Sequence, residues 1–516
     1  MSELLHGLIQ GLSKGEKRFF TLLHSHYMQE RSSTLLQLFA AFDQGEMWDE
    51  QKFSKRNSGK KFLVHFAAEK QKLQHELLDT LVFYHRNSFL NLHIRQLFCQ
   101  AEILFEKKRF VTGEKVLKKG LKMAKAGFLF ELQLEGLKLL NEKMVSQNRI
   151  KGAFDILKER ESIIQQLLEN DEYTKLALQL IELGSDLRKL HADKKSAAAI
   201  ELLLNHRLLN ESASPFSPVA KLGFHSFWAH YAFIQMDIRK RSYHGTKIFE
   251  LLLGHQLLIE GNLSQFFAAA ANIISDAFAL RDIKGLIRIR QQLSSQNNLV
   301  KKLSQTLKTS FESLTLLTII YESLLNGDFA RITSSEEKTH HIIRQLEHQQ
   351  SVRAFHIGFI MSIALFAEKK YRKVIKLLNS LDLLPASERF EDRELLFRYF
   401  MLVSHFELRH DDTVEQQVHS IRRHARRLEQ TLISEELVLE FFLQSTMLEG
   451  IKLKNKIRRL FEELKSLESD PTENIFQKFI YFILLHLRSK VSGKGFESEW
   501  ANYIQAPSGK SKIIFF

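Results

Sequence analysis

Apolar residues recur along most of this chain at intervals of three and four, the spacing that places them on one face of an α-helix. Between many of these runs stands a short polar or basic turn, followed by an aromatic or isoleucine residue that opens the next run. The residues in that opening position are Phe110, Ile150, Tyr243, Ile283, Phe329 and Tyr371. The pattern corresponds to helix-turn-helix units with a period of about 40 to 48 residues. We therefore expect an all-α fold of stacked helix pairs.

The same pattern divides the chain into four parts. Residues 1–95 lack the repeating turn and read as an N-terminal helical domain. Residues 96–465 carry about nine helix-turn-helix pairs, with a proline-marked break near 211–218. Residues 466–500 are expected to form C-terminal capping helices, and 501–516 a tail with an apolar end.

Two local signals stand out in the N-terminal part. Ser13 precedes a helical run and Glu16 follows three residues later, the spacing of a capping box. The segment from Lys52 to Lys61 is basic and rich in turn-forming residues, so we expect an exposed loop there.

Several turns resemble those of tetratricopeptide repeats. The segments NGDFAR and AEKKYRKVIKLLNSLDLLP carry the likeness, with Pro385 placed like the closing proline of such a repeat. The resemblance implies an α-solenoid in which the first helix of each pair lines a concave groove and the second forms the outer surface. The opening LSKGEKRFF, with the Leu-rich helix and Trp-Asp-Glu turn that follow it, also resembles uncharacterised helical-repeat proteins of Bacteroidota, a likeness that implies no activity.

Composition favours one large helical body. The chain has 516 residues, 44% of them hydrophobic, and only 5 prolines interrupt it. Its single cysteine, Cys99, excludes an intrachain disulfide and any zinc site with two thiolates, and its apolar surroundings predict a buried thiol. The N-terminus lacks the pattern of a signal peptide, and the densest apolar stretch, 479–487, is shorter than the roughly 18 residues of a membrane span. We expect a cytoplasmic protein with no membrane span.

Catalytic signatures are missing from the sequence. The motifs GxGxxG, HExxH and GxSxG do not occur, and SGKS at 508–511 lacks the glycine that a phosphate-binding loop needs at position 504. Adjacent carboxylates, such as Glu435 with Glu436, point apart on a helix and are expected to lie on solvated helix faces or to cap turns. None of the closest histidine pairs has metal-ligand spacing with a matching carboxylate set. The sequence thus predicts no catalytic, cofactor-binding or metal site, and no cofactor.

Charge is more informative. The formal net charge is +14, which favours a polyanionic partner. Basic residues concentrate at helical spacing on the second helices of several pairs, and a solvated outer face is the alternative explanation for each stripe. The candidate polyanion-binding residues are Lys115, Lys118, Lys122, Lys125, Arg422, Arg423, Arg426 and Arg427.

The leading functional hypothesis is a non-enzymatic scaffold or adaptor that binds a protein or peptide in its groove. The alternative is an RNA- or ribosome-associated protein that uses the basic stripes and the loop from Lys52 to Lys61. A DNA-reading N-terminal domain and an enzyme rank below both. The sequence indicates no oligomeric state.

Overall fold

The computed structural model describes most of the chain. The described residues are 2–27, 32–44, 49–87, 89–183, 194–210, 215, 217–235, 237–347, 352–381, 391–427, 432–467, 469–470, 473 and 480–505. Within them the structure has 27 α-helices and no strand, with 86% of residues helical. The expected all-α class is confirmed.

The chain forms two compact units, and the first comprises Met1–Lys175, Ser214–Lys221 and Leu251–Leu263. The first nine helices of the chain are α1 Ser2–Gln10, α2 Lys14–Tyr27, α3 Ser32–Asp43, α4 Glu50–Arg56, α5 Phe66–His85, α6 Leu90–Glu106, α7 Phe110–Ala126, α8 Phe130–Ser146 and α9 Ile150–Leu183. One core cluster surrounds Phe42 among α1 to α5. A second surrounds Phe98 and Leu121 among α6 to α9.

The second unit comprises Leu176–Ala213, Leu222–Glu250 and Ser264–Phe516. The remaining helices of the chain are α10 Lys194–Leu204, α11 Pro218–Ile234, α12 Ile238–Leu253, α13 Gln256–Gly261, α14 Leu263–Ala279, α15 Ile283–Ser294, α16 Asn297–Lys302, α17 Gln305–Asn326, α18 Phe329–Thr333, α19 Glu336–Glu347, α20 Val352–Ala367, α21 Tyr371–Leu381, α22 Glu391–Glu407, α23 Asp411–Arg427, α24 Ile433–Ser445, α25 Gly450–Ser466, α26 Tyr481–Ser492 and α27 Phe496–Gln505. Two short 3₁₀ turns, Lys61–Leu63 and Arg207–Leu209, complete the helical elements.

Helices that are consecutive in sequence pack against each other. In the first unit α6 packs on α7 and α7 on α8; in the second, α20 packs on α21, α22 on α23 and α24 on α25. Stacked rings hold part of the interior of the second unit together, as where the Phe400 and Phe482 centroids lie 4.0 Å apart.

The recurring turn has one backbone geometry. At seven of the helix junctions a residue with positive φ stands two places before the next helix, in the left-handed region that closes a Schellman motif. These residues are Lys108, Phe128, Asn148, Arg281, Gly327, Lys369 and Arg409. The residue that follows donates its N–H to a carbonyl five positions earlier, as Arg149 does to Met144 at 2.8 Å and Asp282 does to Ala277 at 2.8 Å. Carbonyls at the end of one helix are thereby satisfied while the chain reverses.

Five of the six predicted opening residues do begin a helix: Phe110, Ile150, Ile283, Phe329 and Tyr371. Tyr243 does not, because α12 has already begun at Ile238, where Asp237 caps the helix by accepting the Lys240 N–H at 3.0 Å. The turn predicted at Tyr243 is therefore wrong.

The N-terminal signals have mixed outcomes. Ser13 and Glu16 form the expected capping box, since the Ser13 N–H donates to Glu16 Oε2 at 2.7 Å and the Glu16 N–H donates to Ser13 Oγ at 3.3 Å. The loop predicted from Lys52 to Lys61 is wrong in its first half, which lies in α4. Asp49 caps this helix, and Phe53 anchors it in the core despite the surrounding charges.

At the C-terminal end, α27 continues to Gln505, and the completely buried Trp500 anchors it. The Trp500 indole N–H donates to the Leu324 carbonyl at 2.8 Å. Residues 506–516, with the apolar end of the tail, lie outside the described residues, as do Pro385 and most of 211–216.

Candidate binding surfaces

The four candidate lysines of α7 all lie at the surface. Lys118 forms an ion pair with Glu114 on the same helix at 2.7 Å, and Lys125 pairs with Glu159 of α9. Among the described residues, Lys115 and Lys122 have no carboxylate within ion-pair distance. Two of the four charges are thus neutralised locally, and two, seven positions apart on one face, remain for an external anion.

The arginines of α23 divide in the same way. Arg422 forms ion pairs with Glu436 and with Glu440 of α24, the latter at 3.2 Å, and so joins the two helices. Hydrogen bonding to Glu436 raises the pKa of this guanidinium. Arg423 is exposed, whereas the side chains of Arg426 and Arg427 lie outside the described residues. Arg422 therefore stabilises helix packing, and its charge is already balanced.

The structure also brings together an aromatic surface that the sequence analysis missed. We call it the aromatic face; its members belong to α11 and α12 and are Phe224, His225, Trp228, Tyr231, Tyr243 and His244. The helix α11 begins cleanly because Ser217 accepts the Ala220 N–H at 3.0 Å and proline occupies the first helical position. A signal was present, since Phe224, Trp228 and Tyr231 recur at spacings of four and three.

Trp228 is the centre of the aromatic face. Its ring lies 5.7 Å from that of Tyr231 in an edge-on arrangement and 6.2 Å from His244 in a stacked one. All these side chains are half-buried except Tyr243, which is 58% exposed. The rings hold one another in place and still present apolar surface to solvent, a combination typical of binding anchors.

The charge at the edge of this face is positive. Arg239 and Lys240 are exposed and form no ion pair with another described residue, whereas Arg241 is paired with the buried Asp276. The Nδ1 atoms of His225 and His244 lie 3.0 Å apart, so one donates and the other accepts a hydrogen bond. Burial lowers the pKa of His244, with a further contribution from the charge of Lys240. The charges that remain unpaired at this edge at neutral pH are therefore the cations of Arg239 and Lys240.

A buried acidic cluster lies at the N-terminus of α24. The Glu473 carboxylate accepts the backbone N–H groups of Ile433 and Ser434, both at 2.9 Å, and so caps the helix. Glu435 is 3% exposed, and Tyr399 donates a hydrogen bond to it at 2.9 Å. Burial raises the pKa of Glu435 to about 7, assisted by the negative charges of Glu436 and Glu473 and opposed by the hydrogen bond from Tyr399.

The expectation that Glu435 is solvated is therefore wrong. The signal was its spacing, because it stands three, four and seven positions before buried apolar residues of the same helix, Val438, Leu439 and Phe442. Cys99 is a second correction: it is exposed, because the buried face of α6 passes through Leu97, Phe98 and Ala101 instead.

A small cavity of about 220 Å³ lies between α24 and α25. Three of its charged lining residues are already paired, since Arg459 bonds to Glu463 at 3.1 Å and Glu440 is held by Arg422. Within the described residues, no group of three or more His, Cys, Asp or Glu side chains is arranged to hold a metal ion. In the same part of the chain, no helix combines the length and apolar content needed to cross a bilayer.

Comparison of the chain with protein-family models, curated proteins and solved structures gives no match.

Proposed function

We propose that this protein is a non-enzymatic, cytoplasmic interaction scaffold that binds an acidic peptide segment of another protein on the aromatic face. The observation that carries the proposal is the half-exposed Trp228, held by the rings of Tyr231 and His244. Tryptophan and tyrosine that are already ordered lose little conformational entropy on binding and are enriched among residues that dominate interface affinity.

The partner's chemistry follows from the charges. Arg239 and Lys240 stand exposed at the edge of the aromatic face, while the other nearby cations, Arg241 and Lys247, are neutralised by Asp276 and Glu250. A segment that carries acidic residues around an aromatic or leucine side chain complements this arrangement. The apolar anchor supplies affinity, and the charges guide the encounter and set the orientation.

The architecture that we propose for the scaffold is a tetratricopeptide-like α-solenoid of about nine helix pairs. The repeated left-handed turns, each two residues before a new helix, support it. In such an array each pair contacts its neighbours and an extended groove results.

The test is capture from a native lysate by the tagged full chain, at low and high salt, followed by binding of the purified partner. Trp228→Ala is the informative variant, and Phe89→Ala is the matched control because Phe89 is an exposed aromatic residue outside the aromatic face, at the N-cap of α6. We expect an acidic protein that is retained at high salt. Trp228→Ala should weaken its binding about 30-fold, the effect of losing an interface residue that contributes about 2 kcal/mol.

Equal binding by wild type and Trp228→Ala would reject the aromatic face as the site. Binding that depends on Trp228 but prefers basic over acidic synthetic peptides would reject the charge argument and leave the anchor in place.

The second candidate is binding of RNA or a ribosome, which the uncompensated Lys115 and Lys122 favour. In this case binding should fall steeply with salt, and Lys115→Ala/Lys122→Ala should reduce the slope of log K against log salt by about 1.4, the value for two contacts to a single strand. The matched control is Lys118→Ala/Lys125→Ala, which removes lysines that already have carboxylate partners. RNA recovered at low salt and lost with only the first double variant would transfer the function to α7.

A further inference from the structure

The long helix α9 has an apolar stripe that nothing in the first unit covers. One side of the helix is in the core, where Ala153, Ile156 and Ile163 are buried. A different side exposes large apolar side chains, of which Phe154 and Leu168 are each 62% exposed. The exposed stripe, which we call the α9 seam, consists of Ile150, Phe154, Leu157, Ile164 and Leu168.

The spacing of the α9 seam is that of a coiled coil. The repeat has positions 150, 154, 157, 161, 164 and 168, which follow one another at alternating steps of four and three. Position 161 is a glutamate, and the other five positions are apolar. An apolar repeat of 3.5 residues keeps one stripe facing a partner helix along its whole length. The seam therefore fits another helix of comparable length.

Charge selects the partner and its direction. Lys158 and Glu161 lie next to the centre of the seam, both are exposed, and neither forms an ion pair with another described residue. In a parallel pair of α9 helices, Glu161 would face its own copy inside the seam, and the like charges would repel. In an antiparallel pair with a two-fold axis near residue 159, Lys158 lies beside Glu161 of the second copy, and the reverse pair forms as well.

The same axis aligns four of the five apolar positions and sets the fifth, Leu157, opposite Glu161 of the second copy. It sets Ile150 opposite Leu168 of the second copy and Phe154 opposite Ile164 of the second copy. Both contacts occur twice because of the symmetry.

From this spacing and charge order we infer that the α9 seam binds a second copy of this chain as an antiparallel, two-fold symmetric helix pair. The scaffold then presents its binding surfaces in duplicate, which raises its avidity for a partner with two binding segments. This inference is independent of the aromatic face.

The test is the molar mass of the purified full chain, measured by light scattering or sedimentation over a dilution series. We expect wild type to reach twice 60.2 kDa and to dissociate on dilution. Phe154→Ser should remain at the mass of one chain. At concentrations where wild type is dissociated too, its melting temperature should match that of wild type, because the removed ring is mostly solvent-exposed.

Charge exchange gives the sharper result. Lys158→Glu gathers four carboxylates near the axis, and Glu161→Lys gathers four ammonium groups, so each variant alone should lose the dimer. In a mixture, a dimer with one copy of each variant has two carboxylates from one copy beside two ammonium groups from the other. The mass of a dimer should therefore return. Lys119→Glu, which reverses an exposed charge on α7, is the control for net charge and should dimerise like wild type.

Three results would overturn the inference. They are a wild-type chain that stays at the mass of one copy at every concentration, single charge variants that still dimerise, and a mixture that does not. Capture of a different protein through Phe154 by a monomeric chain would likewise assign the seam to that other occupant.

Discussion

The Tyr399 hydroxyl donates a 2.9 Å hydrogen bond to Oε1 of Glu435, and both side chains are buried. Among the described residues no lysine, arginine or histidine forms an ion pair with this carboxyl group. The nearest charges that affect it are those of Glu436 and Glu473, which are of the same sign. The protein therefore holds an acid in a place where its neutral form is favoured.

This placement predicts a pH dependence of stability. The pKa of Glu435 is about 7 in the folded chain against an ordinary value of 4.5, so the folded state binds the proton more tightly than the unfolded state does. Its contribution is fully present below pH 4.5 and is lost as the pH rises through 7, a change of about 3 kcal/mol. Glu435→Gln should remove this loss and stabilise the protein at pH 8 relative to wild type, measured by denaturant unfolding at pH 5 and pH 8.

Glu462→Gln is the control, because Glu462 is an exposed glutamate of α25 and should leave both curves unchanged. If Glu435→Gln destabilised the protein at pH 8 as much as at pH 5, the carboxyl would have to be ionised and favourably paired in the fold.

The left-handed turn residues predict stabilising substitutions. Lys369 has φ of 60°, is exposed, and stands two residues before α21. A side chain at such an angle costs about 1 kcal/mol that glycine avoids, although glycine gains some freedom in the unfolded chain. Lys369→Gly should raise the free energy of unfolding by about 0.5 to 1 kcal/mol, which a shift of the denaturation midpoint would report.

The natural control is the equivalent junction before α18, where Gly327 has φ of 69° and free space around its Cα. Gly327→Ala should cost about 1 kcal/mol for the same reason. The two substitutions should change the free energy of unfolding in opposite directions. A higher free energy of unfolding for Gly327→Ala would contradict the backbone argument.

How far the sequence predicts this fold is clearest at the turns. The junctions before Phe110, Ile150, Ile283, Phe329 and Tyr371 were predictable because each follows a complete amphipathic run and a two-residue turn, which is polar at four junctions and Gly-Asp before Phe329. Nothing in the local pattern shows that residues as different as lysine and asparagine take the left-handed conformation, since the hydrogen bonds of the preceding helix impose it.

The candidate sites were harder to predict, for a physical reason. A stripe of lysines shows charge, but whether a charge is available depends on a distant partner, as with Lys125 and Glu159. The aromatic face needs two helices to meet before Trp228 lies against His244. Burial of Glu435 likewise depends on Tyr399, 36 positions away.

The anchoring of α27 predicts a large effect from one side chain. Trp500 is completely buried between Phe329 and Tyr481, and its indole N–H reaches the Leu324 carbonyl at 2.8 Å. Trp500→Ala should cost about 3 to 5 kcal/mol, and Trp500→Phe less, since it loses the hydrogen bond and only part of the packing. Hydrogen exchange in α27 and the melting temperature are the measurements.

The half-buried Trp228 is the comparison for the same substitution. Trp228→Ala should change stability much less than Trp500→Ala, because its ring already contacts solvent. Equal losses at the two tryptophans would mean that Trp228 is a core residue and would remove it as a binding anchor.

The ion pair between Arg241 and Asp276 predicts that the stability lost on removing the Arg241 charge depends on pH. Arg241 Nε donates to Oδ1 of the fully buried Asp276 at 2.6 Å, and burial nevertheless raises the pKa of that carboxyl. Arg241→Met leaves the carboxylate buried without its cation and should cost about 3 to 5 kcal/mol at pH 8. The loss should shrink toward pH 5, because a carboxyl whose folded pKa is raised is stabilised by protonation as the pH falls.

The double variant Arg241→Met/Asp276→Asn decides whether the cost comes from the orphaned charge. Asparagine cannot ionise, so the double variant should be more stable than Arg241→Met alone at pH 8, and its stability should no longer vary with pH in this range. Asp276→Asn alone should cost less than Arg241→Met, since the Arg241 side chain is 25% exposed and water can solvate its charge. If the double variant were instead as unstable as the sum of the two single variants, the lost packing of Arg241 against Phe233, and not the buried charge, would account for the effect.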